Sequence, residues 1–151
     1  MKSLVILNLS GTNLAPQAFH GLIFYSLQFL NLSSTSLATI TFLTTSTFPT
    51  LKELVLSHLP LSPTTTTASP HPLPPTLRLL DLSYSFLRNT NTSHQPPSLL
   101  STLKALVAPH ASLLVLDISQ GSRAEAQMVQ QGGLIALKTW FPRVQHVVAD
   151  G

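Results

Sequence analysis

The sequence predicts a repeat fold, a solenoid in which each repeat contributes one short β-strand. An apolar pattern recurs along the chain and is clearest over residues 27–37, with leucines at Leu27, Leu30, Leu32 and Leu37. Residues 4–14, 51–61 and 77–87 share this spacing, while residues 113–121 and 144–149 keep part of it. The copies begin 23, 24, 26, 36 and 31 residues apart, and periods of about 20–50 residues are typical of solenoids. Each Leu-x-Leu alternation predicts a strand.

Turn-forming residues flank each predicted strand. A serine or threonine stands before it, often with a proline nearby, which suits a chain turning into the strand. A serine follows each of the first five predicted strands. The ninth position of each repeat, three residues after its last apolar strand residue, is occupied in turn by Thr12, Thr35, Leu59, Ser85 and Gly121. A hydroxyl there can bond to the backbone of the bend. Leu59 and Gly121 have none, so we expect their turns to be the least regular.

This pattern resembles the leucine-rich repeat family, whose LxxLxLxxNxL unit carries asparagine at the ninth position. The resemblance covers residues 3–149, with four good copies and two degraded ones. It implies an α/β fold, a right-handed solenoid of five to six repeats with one parallel sheet on the concave side. Helices, 3₁₀ turns and loops would form the convex side. One repeat cannot bury its leucines alone, so stacked neighbours share a continuous core.

The segments between the strands differ in composition. We expect residues 16–26 to bury Phe19, Leu22, Ile23 and Phe24 through a short helix or turn, and residues 38–48 to be extended or 3₁₀ because they are rich in β-branched residues. Residues 62–75 and 88–97 are rich in Pro, Thr or Asn and predict flexible loops. Residues 98–108 predict a helix. Residues 122–140 predict either one helix that is broken or kinked at its paired glycines or two short helices.

Length and composition indicate a single domain over residues 1–151. Its pattern reaches close to both ends, so we expect a segment of a longer repeat protein, or ends that pack on further repeats or a second copy. Eight basic and five acidic residues give a charge of +3 without a cluster, which argues against nucleic-acid binding. No apolar run is long enough for a membrane span. The lack of cysteine favours a reducing, intracellular compartment such as the cytoplasm.

Catalytic and metal-binding patterns are not found in the sequence. It contains no GxSxG, GxGxxG, P-loop or HExxH motif, and its six histidines are scattered without an i, i+4 pair. We therefore expect no catalytic residue, no cofactor, no metal site and no enzyme activity. Hydrolysis through an unrecognised serine site is a remote alternative, which a serine-directed activity probe would test.

The candidate site is the concave face of the predicted sheet. Strand alternation turns the residues on either side of each strand's middle leucine outward, where apolar side chains in a row form a patch of the kind that binds partners. We expect a protein partner to contact Phe29, Asn31, Glu53, Val55, Leu79, Asp81, Tyr84, Val115 and Asp117. Asp81 and Asp117 would form a negative spot that suits a basic group of the partner.

The predicted function is protein–protein recognition by a rigid concave surface. The resemblance implies roles such as receptor ectodomains, ubiquitin-ligase adaptor subunits and intracellular scaffolds, among which fold alone does not choose. The absence of cysteine and of a signal peptide favours an intracellular adaptor or scaffold. The alternative is a structural segment whose faces are buried against the rest of a larger multidomain protein, for example a ubiquitin-ligase substrate adaptor or a receptor.

Overall fold

Six short parallel strands form one sheet. The computed structural model describes residues 3–61, 72–85, 103, 107–119 and 133–148. The strands are β1 (Ile6–Asn8), β2 (Phe29–Asn31), β3 (Glu53–Val55), β4 (Leu79–Asp81), β5 (Val115–Asp117) and β6 (His146–Val148), and they lie in the sheet in chain order. Each strand falls in one copy of the repeat. The predictions of one strand per repeat and of a single parallel sheet are therefore confirmed, also for the two degraded copies.

Equal positions of the repeat are paired across the sheet. Leu30 of β2 lies opposite Leu7 of β1 and Leu54 of β3, and the same register continues through Leu80, Leu116 and Val147. Neighbouring strands are about 4.8 Å apart, so residues that share a repeat position form a column across the sheet. The repeat spacing in the sequence sets this register, because a shift by one residue would turn each middle leucine out of the core.

The repeated leucines form the hydrophobic core. Leu30, Leu54, Leu80 and Leu116, the middle residues of the four inner strands, are fully buried, and the first leucines of the same repeats are buried equally well. Leu7 and Val147 in the two edge strands are partly buried and pack against this core. Each buried leucine stabilises the fold by roughly 1.5–3 kcal/mol relative to an exposed one.

The hydroxyl groups before the strands join successive repeats. Thr50 Oγ1 donates to the carbonyl oxygen of Leu27 at 3.0 Å, and Thr76 Oγ1 donates to that of Leu51 at 2.7 Å. Each threonine thereby bonds to the backbone of the preceding repeat, where the chain turns toward the strand. The threonines before β3 and β4 thus link their repeats to the preceding ones.

The turn at Leu59 has the same form as its neighbours, which corrects the expectation that it would be irregular. Thr12 and Thr35 each donate their hydroxyl to a backbone carbonyl three residues earlier. Leu59 has no hydroxyl, and Ser85 of the next repeat takes its place. Ser85 Oγ lies 2.5 Å from the Leu56 carbonyl oxygen and accepts the Leu59 N–H at 3.3 Å. The matching expectation for Gly121 lies outside the described residues.

The first two connecting segments are held together by phenylalanines. A 3₁₀ helix, η1 (Pro16–Phe19), begins the first of them, and residues 38–48 contain turns without a helix. The Phe19 ring stacks on Phe42 with centroids 4.7 Å apart, and the Phe24 ring stacks on Phe48 at 5.3 Å. The prediction that Leu22 and Ile23 would also be buried is wrong: they are 47% and 51% exposed, because the four rings already fill this side of the core.

Two helical pieces are described in the second half of the chain. Leu103 is helical and buried, and the Val107 N–H donates to its carbonyl oxygen at 2.9 Å, which is a helical i to i−4 bond within the predicted helix over residues 98–108. Helix α1 (Gly133–Trp140) begins at the second of the paired glycines. Its Trp140 Nε1 donates to the Val107 carbonyl oxygen at 2.9 Å and joins the two pieces. The remainder of both predicted helices lies outside the described residues.

Of the two predicted loops, residues 88–97 and 62–71 also lie outside the described part. Residues 72–75 are described, and there Leu73 and Pro74 are buried. The Pro74 carbonyl oxygen accepts a hydrogen bond from Nε2 of the buried His110 at 2.9 Å. The end of this segment is therefore packed into the molecule where it approaches β4.

Candidate binding face

The residues on either side of each strand's middle residue form the face of the sheet opposite the core, here called the open face. The burial pattern along each strand alternates accordingly, with the flanking residues more exposed than the middle one. The first row of the open face is Ile6, Phe29, Glu53, Leu79, Val115 and His146, and the second row is Asn8, Asn31, Val55, Asp81, Asp117 and Val148. These are the two outward columns that the alternation predicts.

The first row is mainly apolar and partly open to solvent. Ile6 is 65% exposed, Glu53 and His146 are exposed, and Phe29, Leu79 and Val115 are half-buried. Because the strands are in register, these side chains follow one another across the sheet as one continuous row. The row therefore offers apolar area to a partner without any rearrangement of the backbone.

A shallow depression lies at the β1 end of the first row. It is lined by Ile6, Phe29 and Glu53 together with Gln28 and Lys52. Lys52 Nζ donates to Gln28 Oε1 at 2.9 Å, which orients both side chains at the edge of the depression. The sequence prediction did not include Gln28 and Lys52. The sequence could have indicated both residues, because the first two leucines of a repeat are three residues apart and the two residues between them lie outside the core.

The polar residues of the second row close the turns that follow the strands. Their Oδ1 atoms accept the N–H of the serine two residues later, at 3.0 Å for Asn8, 2.9 Å for Asn31, 2.8 Å for Asp81 and 3.0 Å for Asp117. This is the Asx-turn, in which a short polar side chain mimics a backbone carbonyl. These residues consequently have a structural role besides any contact with a partner, and the repeated Asx-x-Ser spacing in the sequence is its signal.

Beyond the serines, the chain adopts left-handed backbone conformations at one repeat position. The φ angles are 71° at Gly11, 56° at Ser34, 57° at His58 and 56° at Tyr84. Each of these residues donates its N–H to the carbonyl oxygen of the serine in the next repeat, at 2.7–2.9 Å. The ladder between repeats thus continues past the strands, although a left-handed conformation is unfavourable for residues other than glycine.

The same turn position brings two aromatic side chains together. His58 and Tyr84 occupy it in successive repeats, and their rings stack with centroids 4.9 Å apart and planes 7° apart. Both residues are exposed. Tyr84, predicted as a partner contact, therefore belongs to a stacked aromatic pair in the turns rather than to the strands.

The structure brings the predicted site residues together. Eight of them lie on the four neighbouring strands β2 to β5, and Tyr84 follows β4 directly after the Ser83 turn. Glu53 and Tyr84 are exposed; the other seven are half-buried, namely Phe29, Asn31, Val55, Leu79, Asp81, Val115 and Asp117. The surface is continuous because eight of these residues occupy the two outward positions of neighbouring strands, and Tyr84 occupies the turn position that follows.

Among the described residues, no group of three or more His, Cys, Asp or Glu side chains is placed to hold a metal ion. Nor does any described helix have the length and apolar character needed to cross a membrane. His110 is buried and donates through Nε2 to a backbone carbonyl. Its other ring nitrogen, Nδ1, has no hydrogen-bond partner within the part of the chain that the structure describes.

Comparison of the chain with protein-family models, with curated proteins and with solved structures found no match in any of the three.

Proposed function

We propose that the chain is a leucine-rich repeat solenoid that binds a protein partner through its open face, which would be the concave side, without catalysing a reaction. The proposal rests mainly on one observation. The outward side chains of six strands are in register and make an apolar row next to a polar row on a backbone fixed by inter-repeat hydrogen bonds. A surface that is already ordered loses little conformational entropy when it binds.

Apolar side chains in the first row supply the binding energy in this proposal. Phe29 and Leu79 lie on β2 and β4, on either side of Glu53, and both keep part of their surface in solvent. Aromatic and aliphatic anchors near the centre of an interface commonly dominate its affinity. An intracellular adaptor or scaffold role agrees with the absence of cysteine from the sequence.

The test is affinity capture with the wild-type chain and with the double variant Phe29→Glu/Leu79→Glu. We expect partners bound by the wild type to be lost from the double variant, because carboxylates would replace apolar contacts at the centre of the row. The matched control is Ile135→Glu, which makes the same kind of change at a 75% exposed residue of helix α1. Circular dichroism should show the same spectrum for all three proteins.

Partners that the double variant retains would argue against the open face as the binding surface. Partners lost from the Ile135→Glu control as well would show that added charge, rather than the position of the change, causes the loss. The recovered proteins are identified by mass spectrometry and then tested one by one as purified proteins.

A structural role in a larger assembly is the second candidate, and the flank of β1 favours it. Leu4 is 47% exposed, although Leu27 at the same position of the next repeat is fully buried. In this alternative the exposed leucine side of the first repeat packs on further protein, as in a multidomain ubiquitin-ligase adaptor or a receptor. Capture that depends on Leu4 and not on Phe29 and Leu79 would distinguish the two.

A further inference from the structure

Two carboxylates stand side by side in the second row of the open face. Asp81 on β4 is paired in register with Asp117 on β5, so their side chains occupy neighbouring places in a column with a spacing of about 4.8 Å. Like charges directly opposite each other destabilise a sheet. The pair therefore opposes folding unless a positive charge compensates it.

The described part of the protein supplies no such charge. Each aspartate accepts one serine N–H through Oδ1. Within the described residues, its second oxygen accepts no hydrogen bond and no cationic side chain pairs with it. The nearest basic side chain in the sequence, Arg78, donates instead to the Ser112 carbonyl oxygen at 3.3 Å. Both aspartates are half-buried, a setting in which an unpaired charge attracts an opposite one more strongly than in water.

The fold does not require these charges, because asparagine performs the same structural task in the first two repeats. Asn8 and Asn31 accept the equivalent serine N–H through Oδ1 at 3.0 and 2.9 Å. Aspartate at positions 81 and 117 thus adds charge without adding a turn bond. A negative charge that the architecture does not use, and that lies on the face already proposed to bind, indicates a positively charged ligand group.

Two neighbouring features support this assignment. Ser119, whose N–H is bound to Asp117, is 4% exposed, and among the described residues its Oγ has no hydrogen-bond partner. The equivalent Ser33 Oγ donates to Asn31 Oδ1 at 2.7 Å, which shows that a hydroxyl at this position can join a polar group of the second row. The stacked rings of His58 and Tyr84 lie in the turns just beyond the serines that follow β3 and β4, and aromatic rings attract cations.

We propose that the protein partner places a lysine or arginine side chain between Asp81 and Asp117. This inference rests on the proposed function, since it assigns the chemistry of one contact on the same face. Apolar residues of the partner would then cover Leu79 and Val115, which precede the two aspartates by two residues on the same strands. The partner segment is accordingly a basic and apolar one.

The test uses 12-residue peptides displayed on phage and selected on the wild-type protein, followed by synthetic copies of the selected peptides. We expect lysine or arginine at one shared position next to apolar residues. Binding to Asp81→Asn/Asp117→Asn should be weaker by about tenfold or more, as for loss of a charge-assisted hydrogen bond. Because Asn8 and Asn31 already support the same turns, this variant should melt at or above the wild-type temperature.

Ile135→Lys is the control, since it also makes the protein more positive but at a 75% exposed residue of helix α1, outside the open face, and it should leave peptide affinity within about twofold. Replacing the selected basic residue by citrulline or norleucine should weaken binding to the wild type but not to the double asparagine variant. The proposal is overturned if the selection yields no binder, if binders lack a basic residue, or if their affinity for the double asparagine variant is unchanged.

Peptides that bind regardless of Asp81 and Asp117 but are lost with Phe29→Glu/Leu79→Glu would overturn this inference and leave the proposed function standing. Peptides that are indifferent to all four positions would overturn both. The two failures are thus distinguishable in one set of affinity measurements.

Discussion

Ser34 adopts an unfavourable backbone conformation in which it forms a hydrogen bond to the next repeat. Its φ of 56° lies in the left-handed region, which costs a residue other than glycine about 1–2 kcal/mol. In return its N–H reaches the Ser57 carbonyl oxygen at 2.9 Å. Gly11 occupies this position in the first repeat without that cost, whereas the next three repeats carry a side chain there.

Ser34→Gly should therefore stabilise the protein by about 0.5–1 kcal/mol, because relief of the left-handed strain exceeds the extra chain entropy of glycine. Urea-induced unfolding followed by circular dichroism measures this difference. Ser10→Gly is the control, since Ser10 has no left-handed φ and there the same substitution should destabilise. A loss of stability in both variants would contradict the argument.

At the scale of elements, the strands are short and depend on tertiary packing. Each has three residues, too few for a stable strand without neighbours. Their place in the sequence was predictable because the leucines that direct them into the core repeat at fixed spacing. The connecting segments were less predictable: nothing in the sequence shows that Phe19 would stack on Phe42 while Leu22 and Ile23 stay exposed, because that choice depends on the space between repeats.

The open face was predictable in outline for the same reason. Alternation around Leu30, Leu54 and Leu80 fixed which side chains point outward. It could not show that Asn31 and Asp81 bond to the serine two residues later, because that depends on how sharply the chain turns. Nor could it show that Ser85 would complete the turn at Leu59, since the two residues lie in different repeats.

Dependence on packing predicts a graded response to leucine truncation. Leu54→Ala in the inner strand β3 should lower the free energy of unfolding by about 2–5 kcal/mol, because it leaves a cavity in a fully buried column. Leu7→Ala in the edge strand β1 should cost only roughly 1–2 kcal/mol, because Leu7 is partly exposed. Chemical denaturation compares the two, and equal losses would contradict a core that ends at β1.

At the scale of the whole molecule, the sheet has an apolar open flank at β1. Leu4, Val5 and Ile6 are 47%, 42% and 65% exposed, and among the described strands only β2 pairs with β1. An exposed apolar edge strand is a template for pairing with another chain. The flank is thus a surface of the described chain that contact with further protein would stabilise.

We expect the isolated chain to self-associate as its concentration rises, and Ile6→Lys to reduce this because a charge on an edge strand opposes pairing. Sedimentation velocity over a range of concentrations measures the effect. The matched control is Ile135→Lys at a residue that is 75% exposed on helix α1, which should associate like the wild type. A wild-type chain that stays monomeric at high concentration would contradict the expectation.

The backbone bonds between repeats also bear on how such a chain can evolve. The same bond recurs five times, from Leu9 to Asn31, Leu32 to Val55, Leu56 to Asp81, Leu82 to Asp117 and Ile118 to Val148, at 2.8–3.0 Å. Because this backbone bond is the same at each of the five junctions, recombination that removes or duplicates one whole repeat can preserve this part of the ladder. What it changes is the neighbour of each outward side chain: loss of the third repeat would place Asn31 beside Asp81. A change in the order of the repeats can thus alter the binding surface without any point mutation.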